Sequence, residues 1–376
     1  MRRIRVMNSV KVRGQADLTA AQKTITTLCG EIFPLGELGM TRFAAIRALL
    51  IGVCIFLLSA AVAPRATAKW RYTRTGSPTD VAVVPRTGYA LMGGGAKQDP
   101  AFHFLCERTN GGDFLILRAN TDDDYAQSVN KEIFAMCPLN SAATIVFEER
   151  EDSDDETLVG IIDHAEGIFI AGGDQSNYLR FWQDTPVQAA LNRHIAAGKP
   201  IGGSSAGLAV LGEFSFASMI DTIHSPEALA DPYGNKITIS RDFLKIPLLT
   251  DVITDTHFAK RDRMGRLLVF MARILQDDWA RQVRAIAIEE NVAFLLEPDG
   301  SGKVVGEGST YFLEAKHPAE VCRHNEPLKF DGISVRRVGD KGTFNVKTWS
   351  GNDGDTYSLS TQGGKVTTTG SNHGIY

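Results

Sequence analysis

Cysteine is scarce in this chain, with five residues in 376, which excludes a scaffold built from disulfides. Charge of one sign is lacking too: 40 Lys and Arg stand against 44 Asp and Glu, a formal net charge of −4. A general nucleic-acid binder needs a basic face for phosphate and is excluded by that balance. No apolar run reaches the roughly 20 residues of a spanning helix; the run 48–63 has sixteen. His-Glu-x-x-His and paired Cys-x-x-Cys motifs are missing, so no metal or other cofactor is expected. There is no repeat at a solenoid period. What is present is apolar: 43% hydrophobic residues, ample for a packed core and incompatible with a wholly disordered chain. The length allows one large domain with an appendage, or two domains.

The run 48–63 follows Arg42 and Arg47 and precedes Ala66-Thr67-Ala68. A basic lead, a short apolar centre and an Ala-x-Ala exit describe a signal peptide over 40–68, cleaved after Ala68; an uncleaved N-terminal anchor is the alternative. Residues 1–39 then read as an upstream extension outside the fold, with Met40 as the better start. The implied destination is secreted or periplasmic. Nine basic and three acidic residues fall before Lys69, leaving 31 against 41 and a net charge of −10. Of the remaining cysteines Cys106, Cys137 and Cys322, the pair 106–137 could bridge in an oxidising compartment; three buried thiols are the alternative.

From about 88 to 315, apolar runs alternate with helical spacing. Tyr89–Met92, Phe114–Leu117, Thr144–Phe147 and Gly167–Ile170 read as strands. Tyr125, Val129, Ile133 and Met136 recur at helical spacing, and a short helix follows around Leu158–Ile162. Thr185, Pro186 and Gln188 read as a capping box opening a helix with Val187, Ala190, Leu191 and Ile195 on one face and Gly198 as its stop. Continuous apolar strands between amphipathic helices predict an α/β fold with a mostly parallel sheet flanked by helices over 69–315. Ligands in such sheets sit outside the strands' carboxyl ends, which here carry Gly93–Gly95, Gly172–Gln175 and Gly202–Gly207. Beyond 316, short alternating runs separated by Gly-rich turns predict a small antiparallel β appendage over 316–376.

Three motifs carry chemistry. Gly203-Ser204-Ser205-Ala206-Gly207, after a short strand and before an apolar helix, has the context of a nucleophile elbow; its bland alternative is a serine cap on a helix start. Asp255-Thr256-His257-Phe258 places a histidine just before a helix, where it could serve a serine as base, and Arg261, Arg263 and Arg266 follow as possible carboxylate holders or as a solvated flank. Glu289-Glu290 stands between the runs 286–288 and 292–294, so either carboxylate could orient an imidazole. Gly93-Gly94-Gly95-Ala96-Lys97 is no phosphate loop, because Gln98 follows the Lys and the glycine spacing is wrong. The acidic run 148–156 reads as a solvated loop.

In order, Ser205, His257 and Glu290 do not follow the α/β-hydrolases, whose acid precedes the histidine. The five motifs, from Gly93-Gly94-Gly95 through Ala171-Gly172-Gly173-Asp174-Gln175 to Ile288-Glu289-Glu290-Asn291, together resemble the cyanophycinase and aspartyl dipeptidase family of serine peptidases. That family's domain is similar to class I glutamine amidotransferases. The resemblance implies Ser205 as nucleophile, His257 as base and then acid, and Glu290 as the orienting carboxylate. It implies an oxyanion site at the N–H groups of Gly173 and Ala206, and substrate binding by Gln175, Arg261, Arg263, Arg266 and Asn291. The substrate it implies is an aspartyl peptide or the arginine-bearing polymer multi-L-arginyl-poly-L-aspartate, cut to β-Asp-Arg dipeptides, with a homodimer as a possible assembly. Thr256 stands where cyanophycinases usually carry Gln, and Lys260 replaces another polar residue. Both departures touch polymer specificity and leave open an aspartyl dipeptidase acting on short Asp-X peptides, or a non-catalytic polymer-binding homologue.

Overall fold

The computed structural model describes residues 69–96, 98–119, 124–370 and 374–376; the expected leader over 1–68, and Lys97, lie outside them. The first six strands are β1 (Arg71–Gly76), β2 (Tyr89–Met92), β3 (Asp113–Ala119), β4 (Ser141–Phe147), β5 (Gly167–Ile170) and β6 (Ile201–Ser204). Four more follow: β7 (Phe214–Phe216), β8 (Ile239–Arg241), β9 (Val252–Asp255) and β10 (Val283–Ile288). The rest are β11 (Val292–Leu296), β12 (Ser301–Gly306), β13 (Ser309–Ala315), β14 (Phe330–Gly339), β15 (Thr343–Asn345), β16 (Asp355–Gln362) and β17 (Lys365–Thr369).

They form two sheets. The first runs β1-β4-β3-β5-β6-β2-β11-β12-β15, and its five central strands, β4-β3-β5-β6-β2, are parallel. Every residue of β2, β4 and β5 is buried, because helices cover both faces. Asp99–Thr109 and Asp124–Met136 pack on one face through Phe102, Leu105 and Ile133; Glu156–His164, Gln175–Trp182 and Pro186–Ala196 pack on the other through Leu158, Trp182 and Leu191. The α/β expectation is met.

The second sheet runs β17-β16-β14-β13-β10-β9-β7-β8 and is parallel only along β7-β9-β10. Against it packs Met264–Gln276, a helix with all but two of its residues buried. The C-terminal antiparallel strands are present, and they continue both sheets: β14, β16 and β17 extend the second beyond β13, while β15 pairs with β12 in the first. Phe344 stacks on Phe312 at 3.8 Å between ring centres, which ties β15 into the main core.

Two local expectations are corrected. Thr185 makes no side-chain cap; its hydroxyl donates to the Trp182 carbonyl, and Gln188 accepts from the Asp184 N–H instead. The apolar stretch after Ser205 forms a single turn, Ala206–Ala209, in place of a full helix.

Candidate active site

The site forms where the two sheets meet. β6 delivers Ser205, β9 delivers His257, and the turn Glu289-Glu290-Asn291 crosses from β10 in the second sheet to β11 in the first.

Ser205 stands at φ +52 and ψ −115, a conformation that L residues seldom adopt and that the flanking turn must enforce. The enforcement is steric. A Cβ on Gly203 would lie 2.5 Å from the Gly207 carbonyl, and one on Gly207 would lie 2.0 Å from the Ile170 oxygen. Glycines at both positions let strand, turn and helix turn approach closely enough to expose the central serine.

Ser205 Oγ lies 2.6 Å from His257 Nε2, and His257 Nδ1 lies 2.6 Å from Glu290 Oε1. An acceptor on Nδ1 fixes the tautomer with its proton there, leaving Nε2 free to accept from the hydroxyl. Burial pushes the imidazole below its ordinary pKa; the Glu290 bond opposes this, and the nearby Arg261 and Arg263 charges add to it. The ring is therefore neutral at neutral pH, as a base must be. Glu290 is held below the usual carboxylate range, first by a hydrogen bond from Lys260 and also by His257. Of the two adjacent carboxylates only Glu290 reaches the imidazole; Glu289 turns to the second sheet and accepts from Tyr311 Oη and the Ser309 N–H.

The triple glycine is the frame for this geometry. The Gly93 carbonyl accepts from the His257 N–H and the Gly94 carbonyl from the Asn291 N–H, each at 2.8 Å. The imidazole lies against Gly94, which has φ +99, and a Cβ there would sit 2.5 Å from the ring.

A cleft of about 60 Å³ opens beside Ser205, lined in part by Gly173, Gln175, Ala206, Arg261, Arg263 and Arg266. The arginines are not equivalent. Arg266, 2% exposed, makes a bidentate pair with Asp255, which is 3% exposed. Arg263 donates to the Thr256 carbonyl at 2.8 Å and hydroxyl at 3.0 Å, and to Asp255 at 3.3 Å. Arg261 also lines the cleft, and among the described residues its guanidinium has no such acceptor. Asn291 is not among the lining residues; its side-chain carbonyl accepts from the Ala96 N–H at 2.8 Å. Gln175 Nε2 donates to the carbonyl of Phe216, another lining residue, at 3.4 Å.

The Lys260–Glu290 contact and the platform role of Gly94 had no advance signal as functional features, and Asp255 had a faint one. The clue for Asp255 was its place in the same run as His257, with arginines eight and eleven residues on. Burial, which turns that carboxylate inward, is not written in the run.

Residues 116–231 match peptidase family S51, a stretch that includes Ser205 and ends before His257. A cyanophycinase of Synechococcus elongatus is 27% identical over 252 residues, covering 65% of this chain and 73% of the relative. A Nostoc cyanophycinase is 30% identical over 201 residues, 52% and 59% of the two chains. A crystal structure of a peptidase from an acI-B1 Actinobacterium aligns with 70% of this chain and 98% of its own, at 14% identity and a TM-score of 0.47.

Proposed function

We propose that this chain is a serine peptidase of the S51 type, a reading that the family match over residues 116–231 supports, and that it hydrolyses aspartyl peptide bonds with Ser205 as nucleophile, His257 as general base and then acid, and Glu290 as orienting carboxylate. The observation that carries this is the unbroken line Ser205–His257–Glu290, with both links at 2.6 Å. Ser205 Oγ attacks the aspartyl carbonyl as its proton passes to His257 Nε2. The tetrahedral oxyanion meets the backbone N–H groups of Gly173 and Ala206, which line the cleft, and such preorganised donors usually supply the largest electrostatic term. The C–N bond then breaks, the leaving amine takes the proton from His257, and water repeats the sequence to release the acyl group.

Arg261, whose guanidinium has no acceptor among the described residues, is the group that reads the substrate's free carboxylate; Arg263 and Arg266 shape the wall through Asp255 and Thr256. We assign the polymer multi-L-arginyl-poly-L-aspartate as substrate and β-Asp-Arg as product. The cyanophycinase relatives support this, as does a net charge of −10 over 69–376, which draws an arginine-rich surface over long range. The narrow cleft favours a second reading, hydrolysis of short Asp-X peptides. Export is supported by the leader-like sequence and by the Cys106–Cys137 disulfide, since such bonds persist in oxidising compartments.

Incubating the protein with purified polymer and with Asp-Leu, and weighing the products, separates these substrates. Ser205→Ala is expected to lower release of β-Asp-Arg by at least about 10³-fold with the fold intact. Undiminished release by that variant would exclude the mechanism.

A further inference from the structure

Lys260 Nζ lies 2.6 Å from Glu290 Oε2, while the other oxygen of the same carboxylate holds His257 Nδ1. The lysine side chain is 70% exposed and the glutamate 15%. An exposed pair of this kind adds little to stability, because solvent screens it and holding a long side chain costs entropy. Its consequence lies elsewhere. With one oxygen on the lysine and the other on the imidazole, the plane of the carboxylate is held from both sides, and rotation about its last bond would break both contacts. The turn that presents Lys260 is itself fixed, since the His257 carbonyl accepts from the Arg261 N–H.

We propose that Lys260 is a fourth member of the line, a positioning residue that fixes the plane of the Glu290 carboxylate and through it the imidazole of His257. This rests on the serine-peptidase reading of Ser205. The other charges facing these groups are Arg261, Arg263 and Asp255 from the histidine's own segment. The Gly93–Gly95 loop against the ring presents only backbone, and the elbow presents Ser205. Among the described residues, Lys260 is thus the Lys or Arg that meets Glu290 directly. Removing it leaves the whole carboxylate charge to the imidazole, which then protonates at a higher pH; the acid limb of the activity profile moves upward.

The test compares Lys260→Met and Lys260→Arg in the full chain, using Asp-Leu and the polymer across pH. Lys260→Met is expected to lower kcat about tenfold with KM within about twofold, and to move the acid limb up by about half to one pH unit. Lys260→Arg is expected to restore both. A methionine variant whose profile overlays the wild type overturns the proposal, as does a raised KM at unchanged kcat, which would make the lysine a substrate contact. If the wild type hydrolyses neither substrate, the serine-peptidase reading fails by itself. The His257 titration followed by NMR in Ser205→Ala still decides the role of Lys260: an upward shift on adding Lys260→Met supports it, and an unmoved midpoint overturns it.

Discussion

The Asp255 carboxylate is 3% exposed and grips two guanidinium groups at once. Burial alone would raise its pKa, but the Arg266 and Arg263 charges hold it below the usual range. A carboxylate held low in the folded state contributes stability above its unfolded pKa of about 3.9 and loses it as pH falls through the folded value. Asp255→Asn removes that contribution at neutral pH and strands Arg266 in the interior without a counter-charge. The variant is expected to lose about 3–5 kcal/mol in urea unfolding, and Asp255→Leu with Arg266→Met to lose less. An unchanged midpoint in the single variant would show that the pair is not holding the loop. Ser205, His257 and Glu290 were legible because each sits in a short motif whose order is distinctive. The division of labour among the arginines was not, since it depends on a buried partner that sequence spacing does not reveal.

Among elements, the Gly93–Gly95 loop does most to bring the site together. It hydrogen-bonds both the histidine segment and the Glu290 turn, and it gives the imidazole a surface with no side chain in the way. Gly94→Ala would place a methyl 2.5 Å from the ring on a backbone at φ +99. We expect kcat to fall on the order of 100-fold, from displacement of the His257 imidazole, while the far-ultraviolet circular dichroism stays native. Wild-type kcat in that variant would contradict the contact. The central strands β2, β3, β4 and β5 were readable as continuous apolar runs, and the helix at Pro186–Ala196 from its spacing; the polar edge strand β1 was not. Helices Asp99–Thr109 and Gln175–Trp182 gave no clear signal. The first buries Phe102, Leu105, Cys106 and Thr109, a stripe interrupted by a polar residue at its end, and the second is only eight residues long. Thr185 misled because its hydroxyl finds a carbonyl behind it and leaves the helix N–H groups unpaired by a side chain.

At the scale of the molecule, alternation identified the C-terminal strands but could not say which partners they choose, because pairing is a long-range property. Their end returns to the site. Tyr376 Oη accepts from the Met264 N–H at 2.9 Å and donates to Asp262 at 2.8 Å, and its ring packs edge-on against Phe258 and Tyr311. It thereby braces the segment that carries His257 and all three arginines. Tyr376→Ala is expected to cost about 2 kcal/mol and lower kcat, and Tyr376→Phe, which keeps the ring contacts, to cost less. Equal losses in the two variants would assign the effect to the hydroxyl alone.

The most direct measurement is mass spectrometry of the protein after exposure to a fluorophosphonate, which phosphonylates activated serines with loss of fluoride. A single adduct on Ser205, with labelling slowed by several orders of magnitude in His257→Ala, is the predicted result. An unmodified Ser205 in protein that still cleaves aspartyl peptides would contradict the account.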